Sequence, residues 1–273
     1  MSHLAPILVT STFDKILAKD VFFLEQAAKL GSVQALLFSD QLYQQLLGHK
    51  PLYPQLERKY LLKGISCVEQ VNVINSLDEL TKLSQTQSRT CYTPSHIDQS
   101  IHKLQDHLDN KGLKLEIIDS DKPIIEYNAQ LTSKSSDKKK VIVTGCYDWF
   151  HSGHLRFFEV ASRYGDLYVS VGNDKVLTEL KGEGHPLFPQ EERWYMIQSV
   201  KFVHTAFISS GSGWLDAAPE IEIIQPDVFI VNEDGDREQK RQFCKEKKID
   251  YVVLKREPKR GLPKRTSTNL RGF

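Results

Sequence analysis

The stretch Lys140-Val-Ile-Val-Thr-Gly-Cys-Tyr-Asp-Trp-Phe-His-Ser-Gly-His154 decides how the rest of the chain is read. Lys140–Thr144 is a short β-branched run of the kind that forms a buried strand, and a helix is predicted from His154 to Tyr164. The turn between them opens on Gly145, where a missing side chain lets backbone amides approach a phosphate, and the N-terminus of the next helix attracts negative charge. His151 and His154 stand three apart and so share one side of the helix start, and Gly153 leaves a space beside them where a phosphate could sit. Two imidazole donors aimed at one phosphate suit a reaction that builds negative charge on it. A zinc site would need a third Cys, His or carboxylate at metal spacing nearby, which the stretch lacks. A purely structural role would suit either histidine alone better than the pair.

An altered copy of this stretch lies upstream. Val9-Thr-Ser-Thr-Phe-Asp14 aligns with Val143-Thr-Gly-Cys-Tyr-Asp148, Gly31 with Gly165, Asp40 with Asp174 and Gly48 with Gly182. After one inserted residue, Pro51-Leu-Tyr-Pro-Gln-Leu-Glu-Arg58 matches Pro186-Leu-Phe-Pro-Gln-Glu-Glu-Arg193. Matches in one order at a nearly fixed spacing mark a repeated folding unit. The expected organisation is a first domain over 1–130, a linker over 131–140 and a second domain over 141–273. The triple lysine of 138–140 fits a solvated linker better than a nucleic-acid patch. Thr81–Ser95 is polar, poor in pattern, and reads as a surface loop.

In the second copy, strands are predicted at Leu167–Gly172, Thr205–Ile208, Val228–Val231 and Tyr251–Leu254, with helices at Pro189–Ser199 and Asp236–Lys247. Alternating short strands and helices imply an α/β fold, here tandem Rossmann-like, doubly wound parallel-sheet domains, with ligands beyond the carboxyl ends of the strands. Under His151, Gly153, His154 and Lys181 the first copy carries Leu17, Lys19, Asp20 and Leu47. Leu17 cannot donate a hydrogen bond, Asp20 would repel a phosphate and Lys19 fills the space the glycine left open. The first domain is therefore expected to keep the fold without the chemistry.

Composition sets the outer limits. With 273 residues, 40% of them hydrophobic, a packed core is available and wholesale disorder is excluded. Lys plus Arg (36) nearly equals Asp plus Glu (35), so no nucleic-acid partner is expected. Apolar runs such as Gln34–Phe38 fall far short of a membrane span of about 20 residues. The start Met1-Ser-His-Leu-Ala-Pro6 lacks the pattern of a secretory signal. Cys67, Cys91, Cys146 and Cys244 are scattered, which fits free thiols in a reducing compartment. A cytoplasmic protein is the expectation.

Phe150-His-Ser-Gly-His154 resembles the His-x-Gly-His motif of the nucleotidyltransferase superfamily. It is especially similar to the cytidylyltransferase branch that includes choline-, ethanolamine- and glycerol-phosphate enzymes, while the Gly145-Cys146 start is similar to heptose-phosphate adenylyltransferases. The resemblance covers residues 138–271 directly and 5–130 through the repeat. It implies catalytic roles for His151, His154 and Lys181, the lysine screening repulsion between two anionic reactants. It implies nucleotide binding by Thr144, Gly145, Cys146, Tyr147, Asp148, Gly153, Arg193 and Asn232, although the survival of Arg58 under Arg193 favours a shared structural role. Asn232-Glu-Asp-Gly-Asp236 also reads as an ordinary acidic turn into a helix.

Lys264-Arg-Thr-Ser-Thr-Asn-Leu-Arg271 resembles the family's Ser-Thr-rich second motif, which implies that Arg265, Thr266, Ser267 and Thr268 hold the outer phosphates. Residues 255–273 hold seven Lys or Arg against one acidic residue. The cytidylyltransferase form has Arg-Thr-x-Gly directly before the Ser-Thr pair, whereas here Arg256-Glu-Pro258 and Arg260-Gly-Leu-Pro-Lys264 intervene. Trp149 and Trp214 read as packing residues more readily than as head-group contacts, and a choline-like cation would want an aromatic cage.

The resemblance thus implies transfer of a nucleoside monophosphate, from CTP by preference, to a phosphorylated small molecule with release of pyrophosphate. Mg²⁺ would accompany the triphosphate, with no metal held by protein residues. An ATP-dependent enzyme of the heptose-phosphate type and a non-catalytic nucleotide-binding scaffold remain as alternatives, as do a homodimer and an intrachain pseudo-dimer.

Overall fold

Each half of the chain builds one parallel sheet with helices between its strands. The computed structural model describes residues 5–97, 100–121, 125–127, 131, 137–266 and 270. The first unit runs β1 (Pro6–Ser11), α1 (Ala18–Ala28), β2 (Ser32–Phe38), α2 (Asp40–Leu47), α3 (Gln55–Lys63), β3 (Val68–Ile74), α4 (Leu77–Gln87), β4 (Thr90–Pro94), α5 (Ser100–Asp109) and β5 (Lys114–Ile118). The second runs β6 (Lys140–Gly145), α6 (Ser152–Ala161), β7 (Asp166–Val171), α7 (Asp174–Lys181), α8 (Gln190–Gln198), β8 (Thr205–Ile208), α9 (Ala218–Ile224), β9 (Val228–Asn232), α10 (Glu238–Lys247) and β10 (Asp250–Leu254).

The strand orders are β3-β2-β1-β4-β5 and, reading from the other edge, β8-β7-β6-β9-β10, with parallel pairing throughout. The two topologies are the same. In each, the chain crosses from one side of its first strand to the other, between β1 and β4 and between β6 and β9, which opens a crevice at their carboxyl ends. Separate cores fill the sheets, with Leu8, Leu36 and Leu80 fully buried in the first and Ile142, Phe207 and Phe229 in the second.

The repeat extends to individual hydrogen bonds. Arg58 donates from Nε to the Tyr53 carbonyl, from Nη1 to Thr12 and from Nη2 to Phe38 and the Asp40 carboxylate. Arg193 donates to Phe188, Cys146, Gly172 and Asp174 in the same pattern. The carboxylate of Asp14 accepts from the Tyr53 amide and that of Asp148 from the Phe188 amide. Phe13 (φ 44°) and Tyr147 (φ 52°) share a left-handed backbone, so that strained turn belongs to the scaffold of both units. A Cβ on Gly31 would stand 2.4 Å from the Ala5 carbonyl oxygen, and one on Gly165 1.9 Å from that of Lys139, so both helix-to-strand turns require glycine.

Some elements differ from expectation. Thr81–Ser95 is the end of α4 and the whole of β4, a strand paired with both β1 and β5, where a loop was expected. The buried faces there carry Thr81, Ser84, Cys91 and Thr93, so burial leaves no hydrophobic pattern; Thr81 satisfies its hydroxyl on the Leu77 carbonyl. Helices α7 and α9 also escape the sequence reading. The units divide at Ile124/Ile125, ahead of the expected linker at 131–140. Tyr127 explains the shift: its hydroxyl accepts from the Ile208 amide and its ring meets Trp194 edge-on at 5.0 Å, and Leu131 packs on the second core. Among the described residues, no helix is long and apolar enough to cross a membrane.

Candidate active site

The loop from Cys146 to His151 leaves β6 at the crevice and delivers two imidazoles to the head of α6. Helix α6 begins at Ser152, two residues before the expected start, so His151 is its N-cap and His154 lies in its first turn. The Nδ1 of His151 accepts the Gly153 amide at 3.0 Å, which leaves the proton of the neutral ring on Nε2. The two rings stack with centroids 3.9 Å apart and 18° between their planes. Phe150 stacks on His154 at 5.9 Å and Tyr147 meets its edge at 5.3 Å. Among the described residues, Nε2 of His151 and Nδ1 of His154 are buried without a hydrogen-bond partner. Buried polar groups are nearly always paired, so two orphaned nitrogens on adjacent rings point to a ligand or ordered water at this place.

Burial, reinforced by the charges of Arg256 and Arg265, pushes the His151 pKa down to about 3. Burial also holds His154 well below the ordinary histidine value, with His151, Arg256 and Lys181 adding to it. Both rings are therefore neutral at physiological pH and act as hydrogen-bonding groups, not cations.

The glycines owe their identity to these rings. A Cβ on Gly145 would stand 2.6 Å from the Tyr147 ring, and one on Gly153 2.8 Å from the His151 ring. At both positions the missing Cβ leaves room for an aromatic side chain, and each glycine also lines a cavity.

A cavity of about 600 Å³ opens beside the pair. It brings together Thr144, Gly145, Cys146, Tyr147, Asp148, His154, Lys181, Asn232 and Thr266 of the expected site, with Phe157, His185, Val231, Asp234, Gly235, Lys240 and Arg256 added. A second cavity of about 250 Å³ lies between α6, through Gly153, Arg156, Val160 and Arg163, and the segment after β10, including Lys255, Glu257, Lys264 and Arg265. The two cavities share Phe157, Asn232 and Arg256. His151 lines neither; its ring stacks on that of His154.

Arg193 is corrected. It lines neither cavity, is 2% exposed, and directs its guanidinium to three carbonyls and Asp174, the clasp it shares with Arg58. Asp148 lines the larger cavity, yet one of its oxygens accepts the amides of Leu187 at 2.6 Å and Phe188 at 3.0 Å, which fixes the loop after Lys181 against the histidine turn. Ser267 and Thr268 lie outside the described residues.

Arg256 is the residue sequence reasoning missed most plainly. Its guanidinium pairs with Asp234 and donates to the Arg265 carbonyl at 2.9 Å, joining the turn after β9 to the C-terminal segment. The basic composition of 255–273 was its only signal. Among the described residues, no three His, Cys, Asp or Glu side chains form a group able to hold a metal ion, so the residues present do not form a metal cage.

Comparison with known proteins places the second unit in a family. A family model described as cytidylyltransferase-like matches residues 142–272. Bifunctional protein HldE of Campylobacter fetus subsp. fetus is 30% identical over 146 residues, 52% of this chain and 31% of its own, so this chain spans under a third of that relative. FAD synthase of Ferroglobus placidus is 33% identical over 120 residues, 43% of this chain and 75% of its own. The solved lipopolysaccharide core biosynthesis protein from Thermoplasma volcanium GSS1 aligns over 42% of this chain and 95% of its own at 22% identity, with a TM-score of 0.37 too low to bear on the assignment. With a matched family model over the whole site and a relative covered over three quarters of its length, the chain belongs to the cytidylyltransferase-like family of nucleotidyltransferases.

Proposed function

We propose that the second unit transfers a nucleoside monophosphate from a nucleoside triphosphate to a phosphorylated small molecule. A phosphate oxygen of the acceptor attacks the α-phosphorus in line, a new P–O bond forms, the bond to the β-phosphate bridging oxygen breaks, and pyrophosphate leaves. No covalent intermediate with the protein is needed. The observation that carries this reading is the stacked neutral pair His151/His154, with nitrogens unpartnered among the described residues, beside a cavity rich in cationic groups.

In this reading the histidines hydrogen-bond the oxygens that gain charge at the α-phosphorus, and they do so from a buried place where such bonds count for more than in water. Lys181 screens the approach of two anions. Thr266 stands on the cavity wall, and with Arg265, Ser267 and Thr268 it would hold the leaving pyrophosphate. Mg²⁺ enters as part of the nucleotide substrate.

CTP is the nucleotide favoured by the likeness of Phe150–His154 to choline- and ethanolamine-phosphate cytidylyltransferases. ATP is the second reading, favoured by Gly145-Cys146 and by a relative named for making FAD, an adenine dinucleotide. Incubation of the protein with each nucleoside triphosphate and a panel of phosphorylated alcohols and sugars, following pyrophosphate, separates these readings from one another and from a scaffold. Pyrophosphate release with one base should exceed the others at least about tenfold. Tight nucleotide binding without turnover on any acceptor would favour the scaffold.

A further inference from the structure

The charges around the larger cavity are unevenly compensated. Of the acids near it, Glu233 accepts the Arg256 amide and Asp234 pairs with the Arg256 guanidinium. Asp236 pairs with Arg241 and accepts the Tyr251 hydroxyl. The two lysines of the cavity wall, Lys181 and Lys240, form no ion pair among the described residues. Lys240 is the odder of the two. It sits in the first turn of α10, three residues after the N-cap Arg237, where the positive end of the helix dipole disfavours a cation. Its ammonium donates to the Gly235 carbonyl at 3.2 Å and stands 5.9 Å from the centre of the Phe229 ring, half-buried. Burial and Arg237 both press its charge toward loss. The charges of Asp216 and Asp236 offset this only in part, and neither forms an ion pair with Lys240 among the described residues, so its ammonium is available to oxygen ligands of whatever enters the cavity.

The aromatic residues give the complementary fact. The rings on the cavity wall are Tyr147, buried against Gly145 and His154, and Phe157, buried at 9% exposure. Trp149 is buried beside Phe188, Trp214 meets Phe243 edge-on, and neither lines the cavity. Among the described residues there is thus no set of open ring faces to receive a quaternary ammonium.

We propose that Lys240 sets the acceptor class. It contacts the acceptor with its ammonium group, so that phosphorylated polyhydroxy compounds, the sugar and polyol phosphates, are accepted and ammonium-bearing alcohol phosphates are rejected. This rests on the transferase reading given above. The acceptor's hydroxyl oxygens accept from the Lys240 ammonium, and a choline or ethanolamine head group would place like charge against it.

The test compares glycerol 3-phosphate and hexose and heptose 1-phosphates with choline and ethanolamine phosphates in the wild type, Lys240→Met and Lys240→Arg. The wild type should favour its best polyol or sugar phosphate over choline phosphate by at least about 100-fold in kcat/KM. Lys240→Met should cut that ratio at least tenfold, mostly by raising the acceptor KM, with the nucleotide KM changed less than about twofold; Lys240→Arg should keep most of the selectivity. A lysine that only held the Gly235 turn would instead shift both KM values together. Preference of the wild type for choline or ethanolamine phosphate, or an unchanged ratio in folded Lys240→Met, overturns the assignment while leaving the transferase intact. A wild type that binds no nucleotide by calorimetry overturns both.

Discussion

At the heads of α1 and α6 the same helix positions carry opposite chemistry. Leu17 and His151 are both N-caps, and Asp20 and His154 both sit three residues further on. Around them the scaffold is identical, down to the Arg58 and Arg193 clasps and the left-handed Phe13 and Tyr147. The difference is in what remains unpaired. In the second unit His151 and His154 each keep a buried nitrogen without a partner among the described residues. In the first, Asp20 accepts the Leu17 amide at 2.9 Å and contacts His96 Nε2 at 3.0 Å, and His96 Nδ1 meets the Ser120 hydroxyl at 2.9 Å. The place held open in one unit is closed by an internal polar network in the other. Fold and chemistry separate cleanly here: the repeat preserves what holds the crevice together and changes what faces it.

The largest effect should come from His154→Ala, a loss of turnover of about 10²-fold or more, the scale of one oriented donor to developing charge. Pyrophosphate release measured at saturating nucleotide checks it. Wild-type turnover in that variant would sink the mechanism and leave the orphaned nitrogens as a packing feature.

Replacing the clasps tests the shared half of the comparison. Arg58→Met and Arg193→Met should each destabilise their unit by about 2–4 kcal/mol, since each strands several buried acceptors. All three tryptophans lie in the second unit, so urea unfolding followed by their fluorescence reports Arg193→Met, and circular dichroism reports Arg58→Met. If Arg193→Met kept its stability but lost nucleotide binding, Arg193 would return to the nucleotide site.

What could be read in advance follows the physics of each feature. The central strands are continuous apolar runs, Leu8–Val9 and Val141–Val143, and declare themselves. The histidine turn was legible because the repeat displays it twice, once intact and once altered, and the survival of Arg58 under Arg193 was the one sign of the shared clasp. β4 was hidden because Cys91 and Thr93 are buried while carrying no strong apolar signal. Lys240 and Arg256 reach the cavity from segments far along the chain, and Lys240, in the first turn of α10, carries nothing in its composition that distinguishes it from a lysine on any surface helix. The glycines were legible only in part: their spacing shows that room is needed, but only the structure shows that the Tyr147 and His151 rings stand in it.

The buried imidazoles also give the two units different responses to acid. His151 has a folded pKa of about 3 against an ordinary value of 6.5, so the unfolded chain binds its proton first as pH falls. Its contribution to stability is intact above pH 6.5 and is lost progressively as pH drops toward 3; at pH 5 the loss is about 2 kcal/mol. His154 acts in the same direction. Urea midpoints of the second unit, taken by tryptophan fluorescence between pH 7.5 and 4.5 in wild type and His151→Asn, should show a shallower slope in the variant, because asparagine keeps the helix cap without titrating in this range. Equal slopes would mean that His151 is reached by protons in the folded state.

The smallest effect on turnover is expected where the repeat has replaced a histidine by a carboxylate. Asp20 is 5% exposed, and its oxygens serve the Leu17 amide and His96, so in this structure its work is to close the head of α1. Asp20→Ala should lower stability by about 1–2 kcal/mol, through a lost cap and an imidazole left without its partner. Turnover should stay within about twofold of wild type, because nothing in the transferase reading draws on this side chain. Asp20→Asn, which keeps an oxygen for the Leu17 amide, should recover part of the stability and change turnover no further. If instead Asp20→Ala lost activity to the level of His154→Ala while its circular dichroism remained native, the first unit would take part in the reaction, and the closed network of Asp20, His96 and Ser120 would have to be read as working chemistry.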